Sequence, residues 1–294
     1  MILLENENVM VSFVQKGAEL RSLIHKITKQ EYMWSAKPEF WAKTSPVLFP
    51  IVGALKGDAY TYKNKSYTLG RHGFARDMVF DLEQISDCEV LFTLQDTTDT
   101  WINYPFKFNL GIRYELSASS LSCTYEVFNP GTEELLFSIG GHPAFAVPLQ
   151  QQAQKQDKEQ YIDYYLQFNK DEALQANKIA DNLIADETTT IALENGKLAL
   201  KHDLFYEDAL VFKNLKSDRI ALLNSKNAHG LSFSFNDFPY FGIWSAKDAD
   251  FVCLEPWCGI ADGVHHDGQL QNKEGIEKLM PQSAWKRRWE IDVF

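Results

Sequence analysis

The chain has 294 residues, 45% of them hydrophobic and 23% charged, a composition typical of a well-packed globular protein and not of a disordered one. Its formal charge of −11 disfavours nucleic acid, polyphosphate and anionic membranes as partners, because all of them are negatively charged. The opening MILLENENVM lacks the features of a secretory signal, and no stretch approaches the 18 apolar residues of a membrane span. The four cysteines are dispersed without a C-x-x-C pair, so we expect a cytoplasmic protein with a neutral ligand, no disulfides and no metal site.

Alternation of apolar and polar residues predicts strands along the chain. Every second residue of 107–116 (KFNLGIRYEL) is polar or glycine, and the same period returns in 121–129 (LSCTYEVFN), just before a Pro-Gly turn. The two segments therefore predict an antiparallel hairpin. The pattern recurs in 231–236 (LSFSFN) and in the final 287–294 (RRWEIDVF), so strand signals reach the end of the chain.

Helical periodicity is scarce. Residues 171–185 (DEALQANKIADNLIA) are the one stretch long enough to suggest a helix, and their apolar positions are too sparse to support one. The glutamine-rich segment 151–160 predicts a solvated loop, with a mobile rim beside a site as the alternative. Because there is no repeat, composition break or Gly/Ser linker, we expect one all-β domain over residues 1–294, built as a large antiparallel β-sandwich.

Residues 140–145 (GGHPAF) hold a histidine in a stiff setting. The two glycines allow a close approach of the backbone or a positive φ, and Pro143 restricts His142 to an extended conformation. Such stiffness favours a catalytic role for His142, since a functional group must be held in place. The alternative is a structural histidine that forms ordinary hydrogen bonds.

The segment 251–263 (FVCLEPWCGIADG) places a glutamate in an apolar strand. Alternation puts Phe251, Cys253 and Glu255 on one face, where burial would raise the pKa of the carboxyl group and suit it to act as a general base near neutral pH. Pro256 restricts Glu255 as Pro143 restricts His142. The alternative is an edge-strand glutamate paired with an arginine.

Residues 70–77 (GRHGFARD) contain the adjacent Arg71 and His72, which can reach one ligand only if the segment is a loop. The glycines on either side, Gly70 and Gly73, favour that loop; solvated arginines and a turn histidine are the alternative. Arg76 lies four residues beyond His72.

Two further side chains are suited to bind a sugar. Asp208 leads into a predicted strand in 205–212 (FYEDALVF), where its carboxylate could accept hydrogen bonds from hydroxyl groups or simply end a turn. Trp257 is the preferred platform for stacking on a sugar ring, whereas core packing is the ordinary role of most tryptophans. The tryptophans among or near these segments are Trp34, Trp41, Trp101, Trp244 and Trp257.

With these segments in this order, the whole chain resembles the aldose 1-epimerase (galactose mutarotase-like) family, and more closely its branch associated with bacterial lactose utilisation. The resemblance rests on HGF at 72–74, GHPAF at 141–145, the aspartate of EDALVF, EPW-x-G-x-ADG ending at Gly263, and LMPQSAW at 279–285. It implies a supersandwich with a sugar-binding cleft, no cofactor, and interconversion of the α and β anomers of a free hexose such as galactose or glucose.

The resemblance also implies roles for four residues. His142 would protonate the ring oxygen, Glu255 would remove the proton of the anomeric hydroxyl, His72 would assist at the ring oxygen and Asp208 would hold hydroxyl groups. In this mechanism we expect a protonated His142 facing an ionised Glu255 in the resting state, and a pH profile with two limbs.

One difference from the better-known family members leaves the substrate open. They carry an Asn-Arg pair in the first quarter of the chain, whereas 45–55 (SPVLFPIVGAL) contains no arginine, and Arg71 is the candidate to supply that charge. HGFAR is also similar to the hexose-6-phosphate 1-epimerases of the superfamily, in which an arginine matching Arg76 helps to hold the phosphate. The alternatives are thus a sugar-phosphate epimerase that uses Arg71 and Arg76, and a non-catalytic carbohydrate-binding or sugar-sensing protein.

Overall fold

Strands make up most of the structure, a computed structural model that describes residues 1–151 and 159–294. Most of the predicted loop at 151–160 lies outside the described residues. The strands are β1 (Ile2–Glu5), β2 (Val9–Val14), β3 (Glu19–His25), β4 (Gln30–Met33), β5 (Val47–Leu48), β6 (Ala59–Tyr62), β7 (Lys65–Thr68), β8 (Asp81–Ser86), β9 (Glu89–Gln95), β10 (Asn109–Ser117), β11 (Ser120–Phe128), β12 (Leu135–Phe137), β13 (Ile139–Gly141), β14 (Ala144–Gln151), β15 (Tyr164–Phe168), β16 (Ala173–Ala180), β17 (Leu183–Ala192), β18 (Lys197–Ala199), β19 (Leu210–Phe212), β20 (Arg219–Asn224), β21 (Leu231–Ser234), β22 (Tyr240–Trp244), β23 (Phe251–Cys258), β24 (Glu277–Leu279) and β25 (Ala284–Val293).

Helices are few and short among the described residues. The α-helix spans Thr100–Asn103, and single 3₁₀ turns lie at Lys56–Asp58, Ala75–Asp77, Tyr161–Asp163, His202–Phe205 and Leu270–Asn272. None of the helices in the described part of the chain has the length and apolar character needed to cross a membrane.

Two large sheets contain most of the strands, and neighbouring strands in them are antiparallel. The larger sheet has twelve strands in the order β1-β2-β3-β4-β14-β23-β22-β19-β16-β17, with β13 and β5 continuing beside β23. The smaller sheet has nine, in the order β18-β15-β20-β21-β25-β11-β10-β9-β8. The pairs β12-β24 and β6-β7 form two small additional sheets.

Aromatic side chains fill the space between the two large sheets. Phe13 of β2 meets Tyr114 of β10 with ring centroids 4.5 Å apart, and Phe145 of β14 meets Phe233 of β21 at 6.0 Å. These contacts join residues of opposite sheets, so the sheets face each other as the layers of a sandwich. The predicted fold class, an all-β antiparallel sandwich, is confirmed.

The predicted hairpin at 107–129 is present as β10 and β11, paired in register from Asn109 with Phe128 to Ser117 with Ser120. Residues 171–185, the one stretch long enough to suggest a helix, instead contribute to the hairpin of β16 and β17. The two residues between those strands, Asp181 and Asn182, have φ values of 50° and 66°. Positive φ at both turn residues suits a tight hairpin, and Asn and Asp tolerate it better than most residues.

Strand β23 separates the core between the sheets from a second apolar region on the outer face of the larger sheet. Val252 and Leu254 pack into the core between the sheets, whereas Phe251 and Cys253 belong to a separate cluster on the other face. The predicted alternation is therefore correct. Because β23 is paired on both sides, by β22 and by β13 and β14, the edge-strand alternative for Glu255 is wrong.

Candidate active site

A cavity of about 260 Å³ opens on this outer face of the larger sheet. It is small among ligand pockets and suits a single sugar ring better than a polymer. The residues from the four candidate segments that line it are Arg71, His72, Arg76, His142, Asp208, Glu255 and Trp257.

His142 and Glu255 are in direct contact at the base of the cavity. Nε2 of His142 lies 3.2 Å from Oε2 of Glu255, and the two residues are only 8% and 2% exposed. His142 lies between β13 and β14, and the backbone N–H of Leu254 in β23 donates to the carbonyl of Pro143 at 3.2 Å. That bond fixes the segment after the histidine to the strand that carries the glutamate.

Burial determines where the proton of this pair resides. Burial lowers the pKa of His142 to about 3, and the nearby charge of Arg71 acts in the same direction. Burial raises the pKa of Glu255 well above its usual value, against the opposing charge of Arg71. Both directions oppose the expected resting state, a protonated His142 facing an ionised Glu255, and favour a neutral pair when no sugar is bound. A neutral imidazole and a carboxylic acid hold the same number of protons without burying two charges.

His72 is held in an uncommon backbone conformation, with a φ of 68° in a loop between Gly70 and Gly73. Its Nδ1 accepts a hydrogen bond from the Gly53 N–H at 3.1 Å, while Nε of Arg71 lies 3.2 Å from its Nε2. A neutral imidazole has only one acceptor nitrogen, so these two donations compete. The backbone donor is fixed and the arginine side chain can move, which favours a proton on Nε2.

The His72 ring meets the His142 ring edge-on, with centroids 5.9 Å apart. Burial lowers the pKa of His72 well below its usual value, and His142 adds to the shift. His72 is therefore a neutral hydrogen-bonding group beside the pair.

Two arginines bring positive charge to the cavity. Nη1 of Arg71 donates to Oδ1 of Asn182 at 3.0 Å, and Nη2 of Arg76 donates to the carbonyl of Arg71, also at 3.0 Å. Nε of Arg76 is buried without a hydrogen bond to any described residue, 3.6 Å from the carboxylate of Asp77. The loop interpretation of this segment is correct, and it allows Arg71 and His72 to line one cavity.

Trp257 forms a wall of the cavity and is only 6% exposed. Its ring fills space that side chains at two glycines would occupy, because a Cβ would lie 2.5 Å from the ring at Gly140 and 2.4 Å at Gly242. A Cβ at Gly141 would lie 2.7 Å from the hydroxyl oxygen of Tyr125. The glycines before His142 thus serve close packing, and neither has a positive φ.

Two other tryptophans line the cavity beside the histidine. Trp41 stacks on the His142 ring with centroids 4.9 Å apart, and Trp244 meets that ring edge-on at 5.7 Å. Trp34 is buried behind them, and Trp101 lines a different cavity. Their tryptophan identity is the only sequence signal that separates Trp41 and Trp244 from their neighbours.

The hairpin of β16 and β17 supplies residues that sequence reasoning missed. Ile179, Asn182 and Ile184 line the cavity, and Asn182 receives the hydrogen bond from Arg71 described above. Asp208 lies on the same side, just before β19, with its Oδ1 accepting the Ala209 N–H at 2.7 Å. No motif in 171–185 distinguishes Ile179, Asn182 or Ile184 from the other residues of that segment.

A fully buried ion pair lies next to the cavity lining, since Asp262 directly follows the lining residue Ala261. Nζ of Lys273 lies 2.8 Å from Oδ1 of Asp262, and neither side chain is exposed. Asp262 also accepts the N–H of Lys56 through Oδ2, while its carbonyl accepts the N–H of Ile184. Asp262 thereby connects three segments around the cavity, and His266, 3.3 Å away, completes the cluster.

Comparison with known proteins gives consistent matches over the chain. A family model described as aldose 1-epimerase matches residues 1–274. The chromosomal and plasmid LacX proteins of Lactococcus lactis subsp. lactis are each 33% identical over 300 aligned residues, covering 99% of this chain and 98% of the relative.

Solved structures agree. A galactose mutarotase related enzyme from Lactobacillus acidophilus has a TM-score of 0.93 and 34% identity, covering 100% of this chain and 97% of that one. A galactose mutarotase-like protein from Lactobacillus casei ATCC 334 has a TM-score of 0.89 and 29% identity, with both chains covered completely.

Proposed function

The chain belongs to the aldose 1-epimerase family, and from that premise we propose that it is a mutarotase that interconverts the α and β anomers of a free hexose such as galactose or glucose. Membership supports epimerase activity on a carbohydrate. The identity of the sugar and the roles of the residues are the proposed part.

The observation that carries the proposal is the 3.2 Å contact between His142 and Glu255 at the base of a sugar-sized cavity. Ring opening needs a base for the anomeric hydroxyl proton and an acid for the ring oxygen, and both oxygens are bonded to one carbon. Two adjacent proton-transfer groups match two adjacent oxygens.

Each proton has a defined path in this scheme. Glu255, as carboxylate, takes the anomeric hydroxyl proton while His142, as imidazolium, gives its proton to the ring oxygen, and the bond between the anomeric carbon and the ring oxygen breaks. The aldehyde end then rotates, and the reverse transfers close the ring on its other face. This charged form of the pair arises from the neutral form when one proton crosses their contact. The charge of Arg71 favours the ionised Glu255 and opposes the protonated His142.

The remaining residues bind and orient the sugar in this proposal. His72 presents its Nε2–H beside the pair and donates to the ring oxygen, Asp208 accepts hydrogen bonds from hydroxyl groups, and Trp257 forms the apolar wall. No cofactor takes part in any step of the scheme.

Polarimetry of freshly dissolved α-D-glucose and α-D-galactose tests the proposal. We expect the wild type to accelerate mutarotation and Glu255→Gln to lose about 10²- to 10⁴-fold in rate, the usual contribution of a positioned proton-transfer group. Glu277→Gln is the matched control, because burial also raises the pKa of Glu277 although it lies outside the cavity lining.

Two results would contradict the proposal. Undiminished acceleration by Glu255→Gln would remove Glu255 from the base role. Sugar binding by the wild type without acceleration of any aldose would favour the non-catalytic alternative, a carbohydrate-binding or sugar-sensing protein.

A phosphorylated hexose is the second candidate substrate, favoured by the two arginines in the cavity lining and by the buried, unbonded Nε of Arg76 among the described residues. Arginine is well suited to bind phosphate through paired hydrogen bonds. If glucose 6-phosphate is the substrate, Arg76→Ala should lose activity on it and retain activity on glucose. Equal effects on both sugars would reject a phosphate-binding role.

A further inference from the structure

Three different metal-ligating side chains converge at the base of the cavity. His142, Cys253 and Glu255 each offer one ligand atom, and these atoms all lie within 4.8 Å of one another. All three residues are buried, and two of them reach the cavity surface. Proton transfer in ring opening uses the histidine and the glutamate and leaves the thiol without a role.

The strand places the thiol where it can join the pair. Cys253 and Glu255 are two residues apart in β23, so their side chains leave the same face of the sheet. Cys253 also pairs across the ladder with Ala144, two residues after His142, which brings the imidazole to the same spot.

We propose that His142, Cys253 and Glu255 form an inhibitory binding site for a thiophilic divalent cation, with Zn²⁺ the expected natural occupant. A thiolate, an imidazole and a carboxylate together suit Zn²⁺ and Co²⁺, whereas Mg²⁺ and Ca²⁺ prefer oxygen ligands alone. Tetrahedral zinc with bond lengths of about 2.0–2.3 Å holds its ligand atoms roughly 3.3–3.7 Å apart. The 3.2 Å separation of Nε2 and Oε2 is close to that spacing. The three ligand atoms all lie within 4.8 Å of one another, so the thiol needs a shift of at most about 1.5 Å.

Binding of the cation and catalysis exclude each other. The cation takes the lone pair of the imidazole and the charge of the carboxylate, the two groups that would handle the protons of the sugar. Coordination converts the thiol to a thiolate and releases its proton, and it also releases the proton that His142 and Glu255 share. The fourth ligand position faces the cavity, where it would hold water in place of the sugar.

Absorption spectroscopy with Co²⁺ alone tests the site in the full chain without reference to activity. We expect a near-ultraviolet charge-transfer band from a thiolate bound to cobalt in the wild type, and its loss in Cys253→Ser. Cys258→Ser is the matched control, since that buried thiol lies in the same strand and should leave the band intact. Cys253→Ala and a thermal unfolding scan of each variant keep the comparison valid if the serine disturbs packing.

Several outcomes would overturn the proposal. They are the absence of the band in the wild type, an unchanged band in Cys253→Ser and Cys253→Ala, and loss of the band in Cys258→Ser. A cobalt spectrum displaced equally well by Mg²⁺ would also reject a thiophilic site.

The second readout is inhibition by Zn²⁺ in the mutarotation assay, with each variant compared with its own cation-free rate. We expect competition with the sugar and an inhibition constant raised at least about 10- to 100-fold by Cys253→Ser, since even second-shell changes cost that much metal affinity. Equal inhibition of wild type and Cys253→Ser would overturn the proposal. If no aldose is a substrate, the cobalt spectrum still decides the cation site, so the two proposals fail independently.

Discussion

His142 and Glu255 share one exchangeable proton, and burial shifts their pKa values in opposite directions. It lowers the pKa of His142 to about 3 and raises that of Glu255 well above its usual value. The pair therefore gains a second proton only below the normal range of histidine and loses its single proton only above the normal range of glutamate. Between these limits its proton count is constant.

This arrangement predicts a broad pH optimum. We expect kcat/KM for mutarotation to be nearly flat around neutrality. The acid limb should lie below the ordinary histidine pKa of about 6.5, and the alkaline limb should lie above neutrality, because burial raises the pKa of Glu255 well above its usual value. Polarimetry between pH 4 and about pH 9 with a chelator present measures the profile. An acid limb at the ordinary histidine pKa would show that His142 titrates as an exposed group does.

Trp41 should support the charged form of His142. Its ring stacks on the imidazole at 4.9 Å, and a cation over a tryptophan ring gains about 0.5–2 kcal/mol, a factor of roughly 2 to 30 in rate. We expect Trp41→Leu to lose that factor in kcat and to move the acid limb to lower pH, because the imidazolium becomes less favourable.

The control is Trp101→Leu, which removes an indole that lies outside this cavity. Steady-state polarimetry separates kcat from KM. A change in KM alone for Trp41→Leu would mean that the indole contacts the sugar and does not act on His142.

At the residue scale, the neighbouring prolines and glycines indicated His142 and Glu255 more clearly than the two residue types themselves did. Two titratable residues directly before prolines, one after two glycines, stood out from the other histidines and glutamates. Trp41 had no such setting, because its contact with His142 joins residues about a hundred positions apart. A single sequence carries no local signal for such a contact.

At the element scale, two strands provide the space for the ring of Trp257. Gly140 lies in β13 and Gly242 in β22, on either side of β23, and the ring occupies the space above both. The wall of the cavity depends on the absence of two side chains.

Gly242→Ala tests this packing. The new Cβ would lie 2.4 Å from the ring of a buried tryptophan, so the ring must move, and overpacking of this kind costs about 1–3 kcal/mol. We expect a loss of that size in the free energy of unfolding, measured with urea, together with reduced mutarotation.

Gly70→Ala is the control, because its Cβ would meet nothing within 4 Å and its φ is not in the left-handed region. We expect its unfolding free energy to stay close to that of the wild type. Equal stability of Gly242→Ala and the wild type would show that the ring adjusts without cost.

Element prediction succeeded where alternation was long, and it failed where strands were short or largely exposed. Residues 107–129 alternate over two long strands and gave the correct hairpin, whereas β13 has only three residues, two of them glycine. The hairpin at 173–192 was not predicted, because its outer positions are exposed and its buried residues are sparse. Its contribution to the cavity was missed for the same reason.

At the scale of the whole molecule, the strand signals indicated the fold class and not the order of the strands. β14 pairs with β4 and with β23, and each pairing joins segments about a hundred residues apart. Such pairings depend on the packing of the whole sandwich, which no local pattern encodes. The resemblance implied a supersandwich with a cleft, and it did not give the order of the strands either.

Buried titratable groups also affect how the free energy of unfolding of the whole molecule depends on pH. Unfolded histidine titrates near pH 6.5, so below that pH the unfolded chain binds a proton that folded His142 and His72 do not, and stability falls as the pH falls. Glu255 acts in the opposite direction, because its folded carboxyl stays protonated where the unfolded one ionises. Between about pH 4.5 and 6.5 the contributions of His142 and Glu255 therefore cancel, and that of His72 remains.

Removing one member of the pair should reveal the contribution of the other. Between pH 6 and about pH 5 we expect Glu255→Gln to lose stability more steeply than the wild type, by about 1.4 kcal/mol per pH unit, because His142 is no longer offset. His142→Asn should be shallower than the wild type by the same amount. Urea unfolding at several pH values measures the slopes, and His265→Asn, which changes a largely exposed histidine, should follow the wild type. Parallel slopes in all four proteins would mean that the buried pair holds its two charges in the folded state, since a group ionised in both states contributes no slope.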